Sequence, residues 1–357
     1  MVMKIPKIIK SADVVITNQL REITGVFDYE LQDSLRFETP ELELPDEWGV
    51  GLIVGPSGSG KTTLLSHFGG AVSFEWDSCK SVFDHFKGSD DAINKLTSAG
   101  LNTIPQWSLP YRLLSEGQKA RADLARGLSS NSVFDEFTSS VNRSVAKSMS
   151  SSLRRSVDRN SLSNVVVATC HSDVEDWLQP DWVIDTNEWR VRPRRLERRP
   201  EIKLEVLPCS REVWSFFRNH HYLSGNLNKS SRCWIAVWGG ELVGFASTLA
   251  FPNGNFSNAW REHRTVVLPD YQGLGLGVRL SDAIAKMVVL SKGRYFSKTA
   301  HPRMISYRES SPDWKGTSKN MKARPDYAAT RDTKEDGHKM LHSARVCGSH
   351  EYIGGSL

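Results

Sequence analysis

A glycine-rich segment at residues 50–65, VGLIVGPSGSGKTTLL, has the residue types needed to hold a phosphate. It fits the pattern GxxxxGK[ST], in which glycines let backbone N–H groups point inward and a following helix N-terminus adds a positive dipole. We expect Lys61 to reach the outer phosphates and the Thr62 hydroxyl to bind magnesium. The predicted nucleotide-binding residues are Gly55, Ser57, Gly58, Gly60, Lys61, Thr62 and Thr63.

Two further short apolar runs end in residues that could complete such a site. The first, VF, is followed by Asp135 and Glu136, and the second, at residues 165–168, is followed by His171. Asp135 is placed to bind magnesium, and Glu136 to polarise an attacking water. His171 is a candidate sensor of the γ-phosphate, although a single histidine more often has a structural role.

The segment LSEGQ at residues 114–118 precedes a helical pattern, KARADLARGL. The order of phosphate loop, LSEGQ, two acids and strand-histidine resembles the ABC ATPase family over roughly residues 15–190. This resemblance implies that Ser115, Gly117 and Gln118 bind the ATP held by a second chain. The expected assembly is therefore a homodimer that closes on two ATP molecules.

Two departures from that family pattern affect the expected function. Between the phosphate loop and LSEGQ the only glutamine is Gln106, too close to LSEGQ to serve as the family's glutamine-bearing loop, and the segment is short. A reduced helical region argues against a transporter subunit. Asn142 stands where the family usually has an aspartate, which makes weak communication between paired sites and slow turnover plausible.

The C-terminal half contains a second strand, glycine-rich turn and helix, RTVVLPDYQGLGLGVRL. It resembles the acyl-CoA-binding motif of the GNAT acetyltransferase superfamily over roughly residues 203–310, and two apolar runs around a Gly-Gly pair predict the preceding hairpin. The implied donor is acetyl-CoA or another acyl donor. The implied binding residues are Leu268, Gln272, Gly273, Gly275 and Gly277.

The sequence identifies the catalytic residues of this half less specifically than its binding loop. The chemistry needs a base for the amine and an acid for the leaving thiolate. Tyr307 lies where the superfamily often has its acid. Candidate bases are Glu262, His263 and His301, and a structural role is an equal alternative for each. The polar-aromatic segment 220–225, HHYLSG, is a candidate lining for the acceptor pocket or simply an exposed stretch.

Charge and composition suggest a partner and a location. The net charge is +5, and six arginines with two prolines at residues 190–200 predict a linker, either a solvated hinge or a contact strip for nucleic acid. Five scattered cysteines predict a reducing cytoplasm, and no apolar stretch suits a membrane span. The C-terminal half is also similar to the Mom DNA-modification proteins of phages, which makes DNA or RNA a possible partner.

The predicted fold class is α/β, with an N-terminal P-loop unit of reduced helical content followed by an α+β GNAT-like unit. The predicted domains are residues 1–190, a basic linker at 191–202, and residues 203–357. The whole chain resembles prokaryotic and phage ABC-type ATPases fused to a predicted acetyltransferase. The leading hypothesis is an ATP-gated GNAT-type transferase acting on nucleic acid. The alternatives are an ATP-switched nucleic-acid-binding protein and an ATPase-regulated acetyltransferase of small molecules or proteins.

Overall fold

The computed structural model describes residues 2–27, 30–194, 198–221, 225–252, 256, 258–324 and 345–354. The chain forms two compact units, one of Met1–Glu75 with Lys119–Pro200 and one of Trp76–Gln118 with Glu201–Leu357. Each unit is therefore made of two separate stretches of the chain. Residues 76–118, which the sequence assigns to the ATPase half, instead pack with the C-terminal residues.

The first unit contains, among its described residues, nine strands, four complete helices and most of a fifth. The strands are β1 (Val2–Ile5), β2 (Ile9–Asp13), β3 (Ser34–Glu38), β4 (Leu42–Pro45), β5 (Val50–Val54), β6 (Val133–Phe134), β7 (Val165–Thr169), β8 (Trp182–Asp185) and β9 (Arg190–Pro193). The helices are α1 (Asn18–Val26), α2 (Lys61–Leu65), α5 (Glu116–Gly127), α6 (Arg143–Asn160) and α7 (Glu175–Leu178).

The central sheet of this unit has the order β6-β7-β5-β8-β9, in which the first four strands are parallel. β5 and β7 are buried along their whole length, as expected for strands covered on both faces. β9 pairs antiparallel with β8, and Arg192 bonds to Glu175 through both carboxylate oxygens, at 3.3 and 3.2 Å. The first residues of the predicted linker therefore belong to the sheet, and residues 195–197 lie outside the described part.

The second unit is built on one mixed sheet. Its strands are β10 (Glu205–Cys209), β11 (Arg232–Trp238), β12 (Glu241–Ala250), β13 (Ala259–Val267), β14 (Arg294–Thr299), β15 (Trp314–Gly316), β16 (Lys322–Arg324) and β17 (Arg345–Tyr352). Its helices are α3 (Ser89–Ser98), α4 (Ile104–Trp107), α8 (Trp214–Phe217), α9 (Leu276–Leu290) and α10 (Pro302–Ser310). The strand order is β10-β11-β12-β13-β14-β17-β15, with β16 beside β17.

The predicted hairpin in this unit is confirmed as β11 and β12, joined by a turn in which both glycines have positive φ. An aromatic core of Trp214, Phe217 and Phe245 packs on one face of the sheet. β13 and β14 are parallel, paired at three positions from Ala259↔Arg294 to Arg261↔Phe296, before β13 continues along β12 and β14 along β17. The two strands thus part toward their C-terminal ends.

The predicted mixed α/β class, with a P-loop unit and an α+β unit, is confirmed by this architecture. Within the part of the chain that the structure describes, no helix is both long and apolar enough to cross a membrane.

Candidate functional site

The phosphate loop connects the buried strand β5 to α2, which begins at Lys61. A Cβ on Gly55 would lie 1.8 Å from Thr186 Oγ1, and a Cβ on Gly60 would lie 2.2 Å from Phe37 Cζ. Both positions therefore require glycine. The Lys61 side chain is buried, and its Nζ donates to the carbonyl oxygens of Gly55 (2.9 Å) and Pro56 (2.7 Å). The ammonium is held inside the loop, which suits a polyphosphate ligand.

Three of the predicted ATPase residues share one edge of the sheet. Gly55 follows β5, Asp135 follows β6, and His171 follows β7 after one intervening residue. Because these strands are parallel neighbours, their carboxyl ends form a common crevice, the usual ligand position in such sheets. The Thr62 hydroxyl donates to Asp135 Oδ2 at 2.6 Å. Two hard oxygen ligands thus converge, and this donor set fits magnesium.

The segment after β6 has an unusual backbone. Glu136 has φ 49° and Thr138 has φ 67°, in the left-handed region that a β-branched residue rarely adopts. Asp135 Oδ1 accepts from the Glu136 N–H (2.8 Å), and the Phe137 N–H donates to Ala168 O (2.7 Å). Strained conformations of this kind cluster at functional sites. The turn fixes Glu136 next to the Thr62–Asp135 pair.

The LSEGQ residues belong to the second unit and form the N-terminus of α5. Gln118 Oε1 accepts from the Ser115 N–H (3.0 Å), while Ser115 Oγ accepts from the Gln118 N–H (3.4 Å). This reciprocal pair is a capping box, which fixes the helix start. Ser115 and Gln118 therefore have a structural role already, and their role toward a second chain's nucleotide stays a prediction.

Asn142, the residue that departs from the ABC pattern, is the N-cap of α6. Its Oδ1 accepts from the Val145 N–H at 2.9 Å. Asparagine and aspartate are about equally good N-caps, so the substitution preserves this helix start while removing a charge.

The predicted acyl-CoA loop connects the end of β13 to the start of α9. Gly273 and Gly275 have φ of 91° and 76°, and Gly275 is the N-cap of α9 without a side-chain cap bond. The first N–H groups of α9 are therefore open to an anion. Gly277 is helical, and a Cβ there would lie 3.6 Å from Val267 Cγ2, an ordinary contact. The loop geometry fits the pyrophosphate of a CoA ester.

Gln272 does not present its side chain to this loop's exterior. Its carboxamide is buried, with Nε2 donating to Val267 O (2.9 Å) and Oε1 accepting from the Asn102 N–H (3.1 Å). The side chain thus fastens the loop to β13 and to the segment before α4. Leu268 contributes its backbone N–H to Val243 O at 3.0 Å and packs against the aromatic core.

Glu262, a candidate base, lies in a buried ion pair with Arg308. Arg308 Nη2 donates to Glu262 Oε2 at 2.8 Å, Thr265 Oγ1 donates to Oε1 at 2.6 Å, and the Ser297 hydroxyl also donates to Oε2. Burial favours the neutral acid, but Arg308 and these hydroxyls hold the Glu262 pKa below its ordinary value. A stabilised carboxylate is a weak base, so these contacts favour the structural alternative.

The two histidine candidates have environments that keep them neutral. Burial lowers the pKa of His301, with Arg303 and Arg308 adding to the effect, despite a hydrogen bond to the Asn102 backbone. His301 Nδ1 is buried and has no hydrogen-bond partner among the described residues. Burial and two flanking arginines lower the pKa of His263 to about 4, and its Nε2 accepts from the Asn228 N–H at 3.3 Å. Of the two histidines, His301 is therefore the one with a buried ring nitrogen that has no hydrogen-bond partner among the described residues.

The Tyr307 hydroxyl donates to Asp282 Oδ2, and Asp282 Oδ1 accepts from Trp314 Nε1 at 2.8 Å. Burial and the Asp282 hydrogen bond raise the pKa of Tyr307 to about 12. The phenol is thus protonated at neutral pH, as a proton donor must be, but its proton is directed at Asp282.

In the 220–225 cluster, His221 packs edge-on against Trp214, and residues 222–224 lie outside the described part.

Several residues that support these sites belong to no recognisable sequence motif. The Ser59 and Thr186 hydroxyls are 2.5 Å apart, and Thr186 also donates to Val54 O at 3.2 Å. Thr186 thus supports the phosphate loop from a position 127 residues later in the sequence. Arg308 and Asp282 organise the transferase candidates in the same way. Arg308 lies on α10 and Asp282 on α9, and no local sequence pattern identifies either of them as a partner of the predicted residues.

Residues 175–299 match the model of the acetyltransferase (GNAT) family. Solved structures similar to part of the chain include a dimeric bacterial ABC transporter cassette, at 16% identity with 45% of this chain and 90% of that chain covered and a TM-score of 0.34. Another is CbiO1 of Clostridium perfringens, part of an ABC transporter complex, at 18% identity, 46% and 83% coverage, and a TM-score of 0.33.

A third similar structure is a Bacillus subtilis acetyltransferase in complex with CoA, at 16% identity, 43% and 99% coverage, and a TM-score of 0.31. No curated protein sequence gave a significant match to the chain. The predicted resemblance of the C-terminal half to the GNAT family is confirmed by the family match. The resemblance to Mom proteins stays a prediction.

Proposed function

We propose that the chain is an ATP-dependent GNAT-type acyltransferase whose P-loop unit is an ABC-type ATPase acting as a homodimer. The observation that carries the proposal is that one chain contains two separate glycine-rich loops, each of which precedes a helix N-terminus that could bind phosphate. One is the loop from Gly55 to Thr62, with its internal lysine. The other is the loop from Gln272 to Gly277, which opens α9 and lies within the segment that matches the GNAT family.

In the ATPase unit, the phosphate-loop N–H groups and Lys61 would hold the phosphates of ATP, and Thr62 with Asp135 would hold magnesium. The metal supplies charge neutralisation for phosphoryl transfer when bound. Glu136, fixed by its strained turn, orients and polarises the attacking water. His171, from the neighbouring strand end, contacts the γ-phosphate. Ser115 and Gly117 complete the site of a second copy of the chain.

In the transferase unit, the N–H groups at the start of α9 would bind the pyrophosphate of an acyl-CoA. The acyl group passes from the thioester sulfur to an amine, which must lose a proton while the departing thiolate gains one. His301 Nδ1 is neutral and has no competing partner among the described residues, so we assign it as the base. Tyr307 remains the candidate acid, and its hydroxyl has to turn away from Asp282 to donate.

The donor site is tested by the effect of acetyl-CoA on thermal unfolding of the full chain. We expect a stabilisation of about 2–3 kcal/mol at roughly a hundredfold excess over the dissociation constant. Replacing Gly275 and Gly277 together by valine should remove it, since the position of Gly275 strains any side chain and a Cβ at either residue hinders the phosphate. ATP binding should be unchanged.

One substitution, Gly277→Ala, distinguishes a loss of acetyl-CoA binding from a loss of folding stability. Gly277→Ala fits the structure at an ordinary distance from Val267, and alanine favours a helix. This variant should keep the thermal midpoint of the free protein and bind acetyl-CoA more weakly. If acetyl-CoA and CoA both leave the wild-type midpoint unmoved, the donor assignment is wrong.

We further propose nucleic acid as the source of the acceptor amine, on account of arginine–aromatic pairs at one end of the sheet. The Arg232 guanidinium lies 4.0 Å from the Trp260 ring centre, and Arg261 lies 5.8 Å from that of Phe251. Both arginines are exposed. Such pairs offer a cation for phosphates and a flat surface for bases.

Binding of a short single-stranded DNA at several salt concentrations tests this acceptor. We expect affinity to fall steeply with salt, and Arg232→Ala and Arg261→Ala each to weaken binding and reduce the slope by about 0.7, the contribution of one phosphate contact. Lys286→Ala, at an exposed position of α9, is the control. Absence of binding at low salt would leave the small-molecule or protein acetyltransferase as the better function.

An ATP-switched nucleic-acid-binding protein is the remaining alternative. It predicts DNA binding that depends on ATP and is unaffected by acetyl-CoA and by the Gly277→Ala substitution.

The five cysteines are all free thiols, which supports the proposed cytoplasmic location.

A further inference from the structure

The segment from α3 to α4 lies within the second unit and contacts the residues that follow both β13 and β14. On the β13 side, Gln272 Oε1 accepts from the Asn102 N–H at 3.1 Å. On the β14 side, the backbone of the same Asn102 interacts with the His301 imidazole and opposes the lowering of its pKa by burial. One residue of the segment therefore joins the acyl-CoA loop to the candidate base.

Arg303, at the start of α10, makes several polar contacts with this segment. Its Nε donates to Thr97 Oγ1 at 3.0 Å, and its Nη2 donates to Ser98 Oγ at 2.6 Å and to Asn94 O at 3.4 Å. These acceptors belong to the last turns of α3. A cation there is favoured by the negative end of the helix dipole.

These contacts lie at the carboxyl ends of β13 and β14, where a ligand is expected to bind. β13 and β14 are parallel and part after Arg261 and Phe296, so their carboxyl ends flank a crevice. In sheets with parallel strands, a crevice at the carboxyl ends where neighbouring strands diverge is the usual ligand position. Residues 94–102 contact both sides of it, through Gln272 on one side and through His301 and Arg303 on the other. The segment thus connects the two sides of the crevice beside the acyl-CoA loop.

The same segment leads directly to the LSEGQ residues. Ser115 begins the capping box of α5 thirteen residues after Asn102, and α4 with a 3₁₀ turn at Tyr111–Leu113 fills the connection. A connection this short and this structured can transmit a displacement at either end. ATP bound at LSEGQ would therefore act on the segment that covers the crevice.

We propose that residues 94–102 are an intramolecular cover over the acyl-CoA site, which nucleotide binding at the LSEGQ end withdraws. The cover rests on the proposed function, since it presumes that the Gln272–Gly277 loop binds an acyl-CoA. ATP and acyl-CoA then bind with positive coupling, and each raises the affinity for the other by the same factor. Arg303 and Gln272 are positioning residues that hold the cover closed.

Calorimetric titration of the full chain with acetyl-CoA tests this, with and without Mg²⁺ and a non-hydrolysable ATP analogue. In the wild type we expect the analogue to raise acetyl-CoA affinity about tenfold, within the usual range of allosteric coupling. Arg303→Ala should bind acetyl-CoA without nucleotide as tightly as the wild type does with it, and gain nothing from the analogue. Arg218→Ala, an exposed arginine of the same unit, should behave as wild type.

Hydrogen exchange on the wild type provides a second measurement that needs no variant. Amides of residues 94–102 should exchange faster when the analogue is bound. If acetyl-CoA binds but its affinity ignores the analogue, the cover is refuted while the transferase stands. The cover is likewise refuted if Arg303→Ala keeps the wild-type response. If neither the wild type nor Arg303→Ala binds acetyl-CoA, the transferase proposal falls and the cover falls with it.

Discussion

Replacing Lys61 by alanine should lower the affinity for ATP by at least a hundredfold. Among the described residues, its ammonium is the one charged group inside the phosphate loop, where it donates to Gly55 O and Pro56 O. A charge-assisted hydrogen bond contributes about 1.5–3 kcal/mol, and 2.7 kcal/mol corresponds to about a hundredfold in affinity. Loss of the charge-assisted bonds that this ammonium would make to phosphate therefore accounts for the effect.

The measurement is equilibrium binding of a fluorescent ATP analogue, with Mg²⁺ present. Lys4→Ala, at an exposed position of β1 where the ammonium pairs with Glu41 and Glu43, removes the same charge and should bind as wild type. Thermal unfolding of both variants checks the fold, since Lys61 is itself buried. An unchanged affinity in Lys61→Ala would remove the phosphate-loop interpretation.

The phosphate loop was predictable because its chemistry is local in sequence. Strand, glycines, lysine and threonine lie within sixteen residues, and the structure forms β5, the loop and α2 at the predicted positions. Its supports were not predictable. Thr186 and Phe37 explain why Gly55 and Gly60 must be glycine, yet they contact the loop from distant positions that only the completed sheet defines.

Gln272 shows that a sequence motif can predict the conformation of a loop without predicting the contacts of its side chains. Its position in the GNAT motif predicts a ligand-binding residue, and the loop that contains it has the expected glycine conformations. The side chain instead bonds to Asn102, which is 170 residues away in the sequence. A motif specifies backbone geometry well because glycine patterns are local, whereas the partner of a polar side chain depends on which segment packs there.

The placement of residues 76–118 could not be read from the sequence for the same reason. Their order along the chain assigns them to the ATPase half, while polar contacts through Thr97, Ser98 and Asn102 place them with the C-terminal residues. A fragment that begins near residue 201 would lack this segment. Binding of acetyl-CoA is for that reason best measured on the full chain.

The Glu136→Gln variant should bind ATP normally and hydrolyse it at least a hundredfold more slowly. Loss of a positioned general base typically costs a factor of about 10² to 10⁴ in rate, and the amide keeps the shape of the carboxylate but polarises water poorly. The backbone turn is retained, because Asp135 holds the Glu136 N–H and the Phe137 N–H bonds to Ala168 O. The defect is thus confined to the chemical step.

A stalled site also reports on assembly. If Ser115 and Gly117 of one chain complete the ATP site of another, ATP that is not hydrolysed should hold two chains together, and light scattering should give twice the monomer mass only when ATP and Mg²⁺ are present. Glu47→Gln, an equally conservative change at an exposed position, should hydrolyse ATP like the wild type and show no such accumulation. A Glu136→Gln protein that stays monomeric at saturating ATP would contradict the homodimer. Because Ser115 lies on the segment that continues to Asn102, a dimer that forms would also supply the force that withdraws the cover from the acyl-CoA loop.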